Sequence, residues 1–112
     1  MDCLFCKIVE GKIPSQAVYG DDQCYAFGDI NPQAPVHFLV VPREHIPSMA
    51  HAGREHAAIL AHLMLTAGEI AKEKGLGKGY RVVINTGPDG GQTVDHLHVH
   101  VLGGRHMTWP PG

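Results

Sequence analysis

The chain carries almost no excess of charge. Eleven Asp and Glu offset nine Lys and Arg, leaving −2, and charged residues are only 18% of the 112. A strong electrostatic footprint for nucleic acid is therefore missing. No apolar run approaches the length that spans a bilayer. The first residues, MDCLFCKIVEGKIP, are mixed and lack the pattern of a secretory signal. Cysteine is scarce and odd in number, at three, which argues against a disulfide scaffold. A cytoplasmic protein with reduced thiols is the expectation. There is no internal repeat, linker or low-complexity tract, so residues 1–112 are expected to form a single domain. A domain of that size buries roughly 65% of the surface its unfolded chain exposes, enough for a real core. Hydrophobic residues, at 44%, give it a globular composition.

Periodicity predicts five strands and two helices. A short helix is expected over residues 3–9, capped by Asp2 and closed by Gly11. Residues 17–19 and 24–29 read as two strands joined by a turn at Gly20, Asp21 and Asp22. Residues 37–41 (HFLVV) are a third strand, stopped by Pro42. Between 54 and 74, Ile59, Leu60, Leu63, Met64, Ala67, Ile70 and Ala71 follow 3.6-residue spacing, which predicts the main helix. Lys72 and Lys74 suit its C-terminal dipole and Gly75 its stop. Residues 80–85 and 96–102 are the fourth and fifth strands. Short connections favour an α+β fold: a largely antiparallel five-stranded sheet with helical cover on one face.

Nine histidines are many for this length. His51, His56 and His62 lie in or near the helical stretch and His106 in the tail, and these four read as solvated or packed side chains. His96, His98 and His100 differ, because they alternate with Leu97, Val99 and Val101. On a strand that alternation puts three imidazoles on one face and three apolar side chains on the core face. Asp95 is expected opposite the histidines. Three rings in register suit either a metal site or nucleophilic catalysis, in which one ring attacks and its neighbours hold charge and tautomer. Upstream, GPDGGQT offers Gly87, Gly90 and Gly91 for close approach of backbone N–H groups to an anion. No Gly-Lys-Ser/Thr follows, so it is not a P-loop. Cys3 and Cys6 form a CxxC, which fits half of a metal site or a redox pair.

The run His96-Leu97-His98-Val99-His100-Val101-Leu102 resembles the signature of the histidine-triad family of nucleotide hydrolases and transferases. DINPQAPVHFLVVPREHI, GKGYRVVINTGPDGGQ and HVLGGRHMTWPPG look like its Hint branch, the terminal WPPG most specifically. The resemblance covers nearly the whole chain and implies a homodimer with one continuous sheet. It also implies hydrolysis of purine nucleoside phosphoramidates to an amine and a nucleoside monophosphate, through a nucleotidyl-histidine. By that resemblance His98 is the nucleophile and His100 stabilises charge on the phosphate. His37 and His96 complete the catalytic histidines, and Thr93 lies by the leaving group where the branch usually has serine. Asp29 is expected at the ribose hydroxyls, with Phe5, Ile8, Phe27 and Ile30 as walls around the base. Asn85, Gly91 and Gln92 are expected near the phosphate, and Trp109 near the partner subunit's pocket.

Two further departures from the branch are Gly28, where a larger polar residue is common, and Asp95, where an aromatic is. Bacterial members with this CxxC add a histidine after the third strand and the first triad histidine. The resemblance thus implies one structural zinc held by Cys3, Cys6, His45 and His96, and no catalytic metal. A nucleotide-binding interaction module with negligible catalysis is the main alternative, ahead of a metallohydrolase using all three triad histidines as ligands. No nucleic-acid or membrane partner is expected.

Overall fold

The computed structural model describes residues 2–112. Its centre is a five-stranded sheet, antiparallel throughout, in the order β1-β2-β3-β5-β4. The strands are β1 (Ala17–Gly20), β2 (Cys24–Gly28), β3 (Val36–Pro42), β4 (Tyr80–Val83) and β5 (Val99–Gly103). A short helix, α1 (Leu4–Val9), precedes them, and the main helix, α2 (Ala57–Glu73), lies between β3 and β4.

The middle strand explains how both faces are covered. In β3, Phe38 and Val40 point toward α2 and pack with Leu63, Ala67, Ile70, Ala71, Leu97, Val99 and Val101. Leu39 and Val41 point the other way and pack with Phe5, Ile8 and Phe27 under α1. Alternate residues of a strand face opposite sides, so a seven-residue strand that is apolar on both faces belongs at the centre. The same parity in β5 sends Val99 and Val101 to the α2 face and leaves His100 facing α1. The β1–β2 turn is fixed by Asp21, whose Oδ1 accepts the backbone N–H groups of Gln23 and Cys24 at 2.8 Å.

Four local expectations are corrected. Cys3, not Asp2, caps α1: its sulfur accepts from the Cys6 N–H at 3.3 Å, while Asp2 pairs with Lys7 at 2.8 Å. The main helix begins as a 3₁₀ turn, Arg54–His56, closed by the His56 N–H donating to Gly53 O at 2.9 Å, and becomes α-helical at Ala57. β4 ends at Val83, opposite His100. β5 starts at Val99, so His96 and His98 precede the ladder; there the Leu97 N–H donates instead to Ile46 O at 2.7 Å, in the segment after β3. Of the four histidines read as solvated or packed, three have short polar contacts. His62 meets Asp21 at 2.7 Å, His51 meets Ser48 at 2.7 Å, and His56 meets Glu44 at 3.3 Å.

Candidate functional site

On the α1 face of the sheet lies a cavity of about 240 Å³. Its walls are Leu4, Phe5 and Ile8 of α1, Phe27, Asp29 and Ile30 at the end of β2, Leu39 of β3, and Thr93, Val94, His98 and His100. Seven of the expected site residues other than the triad thus meet here or at its rim: Phe5, Ile8, Phe27, Asp29, Ile30 and Thr93 line it, and His37 stands behind His100. Asn85, Gly91, Gln92 and Trp109 do not line it in the protomer. Leu4, Leu39 and Val94 are wall residues that sequence reasoning missed. Nothing in their spacing distinguishes a pocket wall from core.

The three triad histidines do different work. His98 is 4% exposed, and its Nδ1 donates to the carbonyl of His96 at 2.7 Å. A carbonyl only accepts, so in the neutral ring the proton sits on Nδ1 and the lone pair on Nε2. Phe5 stands edge-on to this ring, centroids 5.0 Å apart. His100 and His37 form a chain with defined direction. The Gln33 N–H donates to Nδ1 of His37 at 3.0 Å, so in the neutral ring Nε2 carries the proton. That Nε2 donates to Nδ1 of His100 at 2.9 Å, which leaves Nε2–H of His100 as a donor. Asp29 sits beside both, its Oδ2 at 3.4 Å from His37 Nε2, while its Oδ1 accepts the Asn31 N–H at 2.8 Å.

Burial, with the facing rings of His98 and His37, pushes His100 down to about 4 against the pull of Asp29. His37 is also lowered, by burial first. His100 is therefore a neutral donor at pH 7. The consequence for stability has a definite sign. A histidine whose pKa falls on folding stabilises the fold fully above its unfolded value of about 6.5, and that contribution is lost as pH drops toward about 4. For His100 it is on the order of 3 kcal/mol. Thermal unfolding followed between pH 7 and pH 4 should show a steep decline, made shallower by His100→Asn.

His96 belongs to a second cluster. It is fully buried, its pKa is lowered by burial, and its Nε2 donates to Pro42 O at 2.9 Å. Its Nδ1 lone pair therefore points at Cys3 Sγ (3.4 Å), Cys6 Sγ (3.5 Å) and His45 Nδ1 (3.2 Å). Cys6 Sγ lies 3.3 Å from His45 Nδ1. Zinc bond lengths of about 2.3 Å to sulfur and 2.0–2.1 Å to nitrogen put tetrahedral donors about 3.3–3.8 Å apart. These four donors are thus spaced for a metal ion. Burial, then the neighbouring Cys3, pushes the Cys6 thiol up to about 11, so a Cys6 thiolate is favoured here only beside a cation. Because both nitrogens of His96 are committed, its ring does not reach the cavity, and only its carbonyl serves His98. Among the described residues no potential metal-binding group contains all three triad histidines.

Asp95 does not follow the strand alternation. The backbone bends at 94–96, and Asp95 lines a neighbouring cleft with Cys3, His45 and Thr93. Gln92 ties its loop to the segment after β3. Its Oε1 accepts from Gly87 N–H at 3.0 Å, and its Nε2 donates to Pro47 O and Val94 O at 2.7 and 2.9 Å. Gln92→Ala strands these backbone groups and should cost about 1–2 kcal/mol, read by denaturant unfolding.

Residues 10–107 match the HIT domain family. The chain is 57% identical over 111 residues to an uncharacterised HIT-like protein of Synechococcus elongatus, covering 99% of this chain and 97% of that one. Among solved structures, a HIT family hydrolase from Legionella pneumophila superposes with a TM-score of 0.98 at 46% identity, over 99% of this chain and 100% of that one. A histidine triad nucleotide-binding protein from Candida albicans superposes at 0.83 with 30% identity, over 97% and 83%. The chain belongs to the HIT family, and it has the fold of that family's hydrolases.

Proposed function

We propose that the protein hydrolyses purine nucleoside phosphoramidates through a covalent nucleotidyl-histidine on His98. The observation that carries this reading is the His98 Nδ1–His96 carbonyl bond of 2.7 Å, which in the neutral ring places the Nε2 lone pair at the cavity wall. That lone pair attacks the α-phosphorus. A bond from Nε2 to phosphorus forms, the bond from phosphorus to the substrate's nitrogen breaks, and the amine departs after taking a proton from solvent, which the attacking water returns in the second step. Water then attacks phosphorus, the bond to Nε2 breaks, and the nucleoside monophosphate leaves. As positive charge grows on the ring, the His96 carbonyl holds it through Nδ1–H. The Nε2–H of His100 donates to a non-bridging phosphate oxygen, with His37 keeping that proton in place. The Thr93 hydroxyl stands by the leaving group.

The apolar walls support a flat base lying near Phe5, Phe27, Ile30 and Leu39, with the Asp29 carboxylate left for ribose hydroxyls. The Candida albicans neighbour is a nucleotide-binding protein by name, and the Legionella pneumophila neighbour a hydrolase. The reading includes a cytoplasmic homodimer that extends the sheet at β4, an edge strand. Trp109, 82% exposed, then reaches the partner's cavity, and Asn85 and Gly91 serve the phosphate on substrate binding. Zinc at Cys3, Cys6, His45 and His96 would have a structural role, joining α1 to the sheet. Incubation with adenosine phosphoramidates bearing several amines tests the reading. Release of adenosine monophosphate and amine supports it, whereas nucleotide binding without turnover on any of them favours an interaction module.

A further inference from the structure

The short helix α1 serves two sites at once. It has six residues, far fewer than the ~12–15 an isolated helix needs in water. What holds it is the burial of Phe5 and Ile8 and the position of the Cys3 and Cys6 thiols in the four-donor cluster. The same helix supplies Leu4, Phe5 and Ile8 to the cavity wall. Phe5 touches both systems: its ring centroid is 5.0 Å from that of His98 and 6.0 Å from that of His96.

A second route runs through the segment before β5. His96 turns its Nδ1 to the cluster and its backbone carbonyl to Nδ1 of His98. The residue that would hold the metal thus also sets the tautomer and direction of the candidate nucleophile. Docking of α1 and placement of His96 are shared between the two sites. Whatever fixes them at one site lowers the ordering cost at the other.

We propose that a metal ion at Cys3, Cys6, His45 and His96 and a nucleoside monophosphate in the cavity bind cooperatively, with α1 and His96 as the shared element. Phe5 and the His96 carbonyl are positioning groups in this coupling. The inference rests on the nucleotide reading of the cavity and goes beyond it, because occupancy of one site sets the affinity of the other. Thermodynamic linkage makes the factor equal in both directions.

The test titrates adenosine monophosphate by calorimetry into zinc-loaded and chelator-stripped protein, with circular dichroism confirming the fold. In parallel, zinc retention against a competing chelator is measured with and without saturating adenosine monophosphate. Stripping should weaken nucleotide binding about 10-fold, and the nucleotide should tighten zinc retention by the same factor, within the usual range of such couplings. Phe5→Ala, which leaves all four donors in place, should reduce the factor to about threefold or less. The chelator competition needs only loaded protein at the start, so it reads the coupling even if the stripped form unfolds. Nucleotide affinity unchanged within about twofold in folded, stripped protein, or zinc retention indifferent to nucleotide, overturns the proposal. If zinc-loaded protein binds no adenosine monophosphate at all, the nucleotide reading falls with it, a distinct result.

Discussion

His98→Ala is expected to slow hydrolysis of an adenosine phosphoramidate by about 10⁴-fold or more while leaving adenosine monophosphate bound within several-fold of the parent affinity. The split follows from what the side chain contributes. The walls that would hold the nucleoside, Phe5, Ile8, Phe27, Ile30 and Leu39, come from other elements. His98 supplies the free Nε2 and, through its ring, a contact with Phe5. Removing the ring takes away the group proposed to form the covalent bond, and no other ring offers the same arrangement. His100 is engaged at Nδ1 by His37 and carries its proton on Nε2, and His96 has both nitrogens committed. The measurement is kcat alongside a calorimetric Kd. A variant that keeps parental turnover would require another nucleophile.

Stripping zinc from protein loaded at Cys3, Cys6, His45 and His96, the proposed site, is expected to destabilise the fold by about 3–4 kcal/mol, the effect of a ligand present at several hundred times its Kd. For a domain of this size that lowers the melting temperature by roughly 15–25 °C. The reason lies in what the cluster joins. Cys3 and Cys6 bracket the start of α1, His45 follows β3, and His96 precedes β5. One ion would therefore bind three segments distant in sequence. Without it, two buried or half-buried thiols and two imidazoles face one another, and α1 is left with Phe5 and Ile8 as its main anchors. The fold should persist, because the α2 core around Phe38, Val40, Leu63 and Val101 does not involve the cluster. Calorimetric melting before and after chelation, with zinc content measured by elemental analysis, checks this. Cys6→Ser should reproduce the loss.

Strand order apart, much of the architecture was legible in one dimension. The β-rich run at 37–41 and the 3.6-residue spacing of Leu63, Ala67, Ile70 and Ala71 are local signals, and they marked the third strand and the main helix. Where β5 begins was not legible. The His-x-His-x-His pattern continues upstream of the ladder because His96 and His98 are held by Pro42 O, the cluster donors and a carbonyl, interactions with no period. The division of labour among the histidines was hidden for the same reason. Alternation put the three rings on one side but said nothing of tautomers, which are set by Gln33 N–H, His37 and the His96 carbonyl. The role of Asp2 was misread because a cysteine thiol accepted the capping bond instead. In the sequence the four candidate metal donors come together only by resemblance, since no spacing rule connects Cys6 to His45 or His96.

The most direct test of the central claim is rapid acid-free quenching during turnover of an adenosine phosphoramidate, followed by intact-mass analysis and peptide mapping. The account predicts a transient adenylyl adduct on the peptide containing His98, lost with time and absent from His98→Ala. Steady turnover with no adduct on that ring at any quench time, or an adduct mapped to His100 or His96, would contradict it.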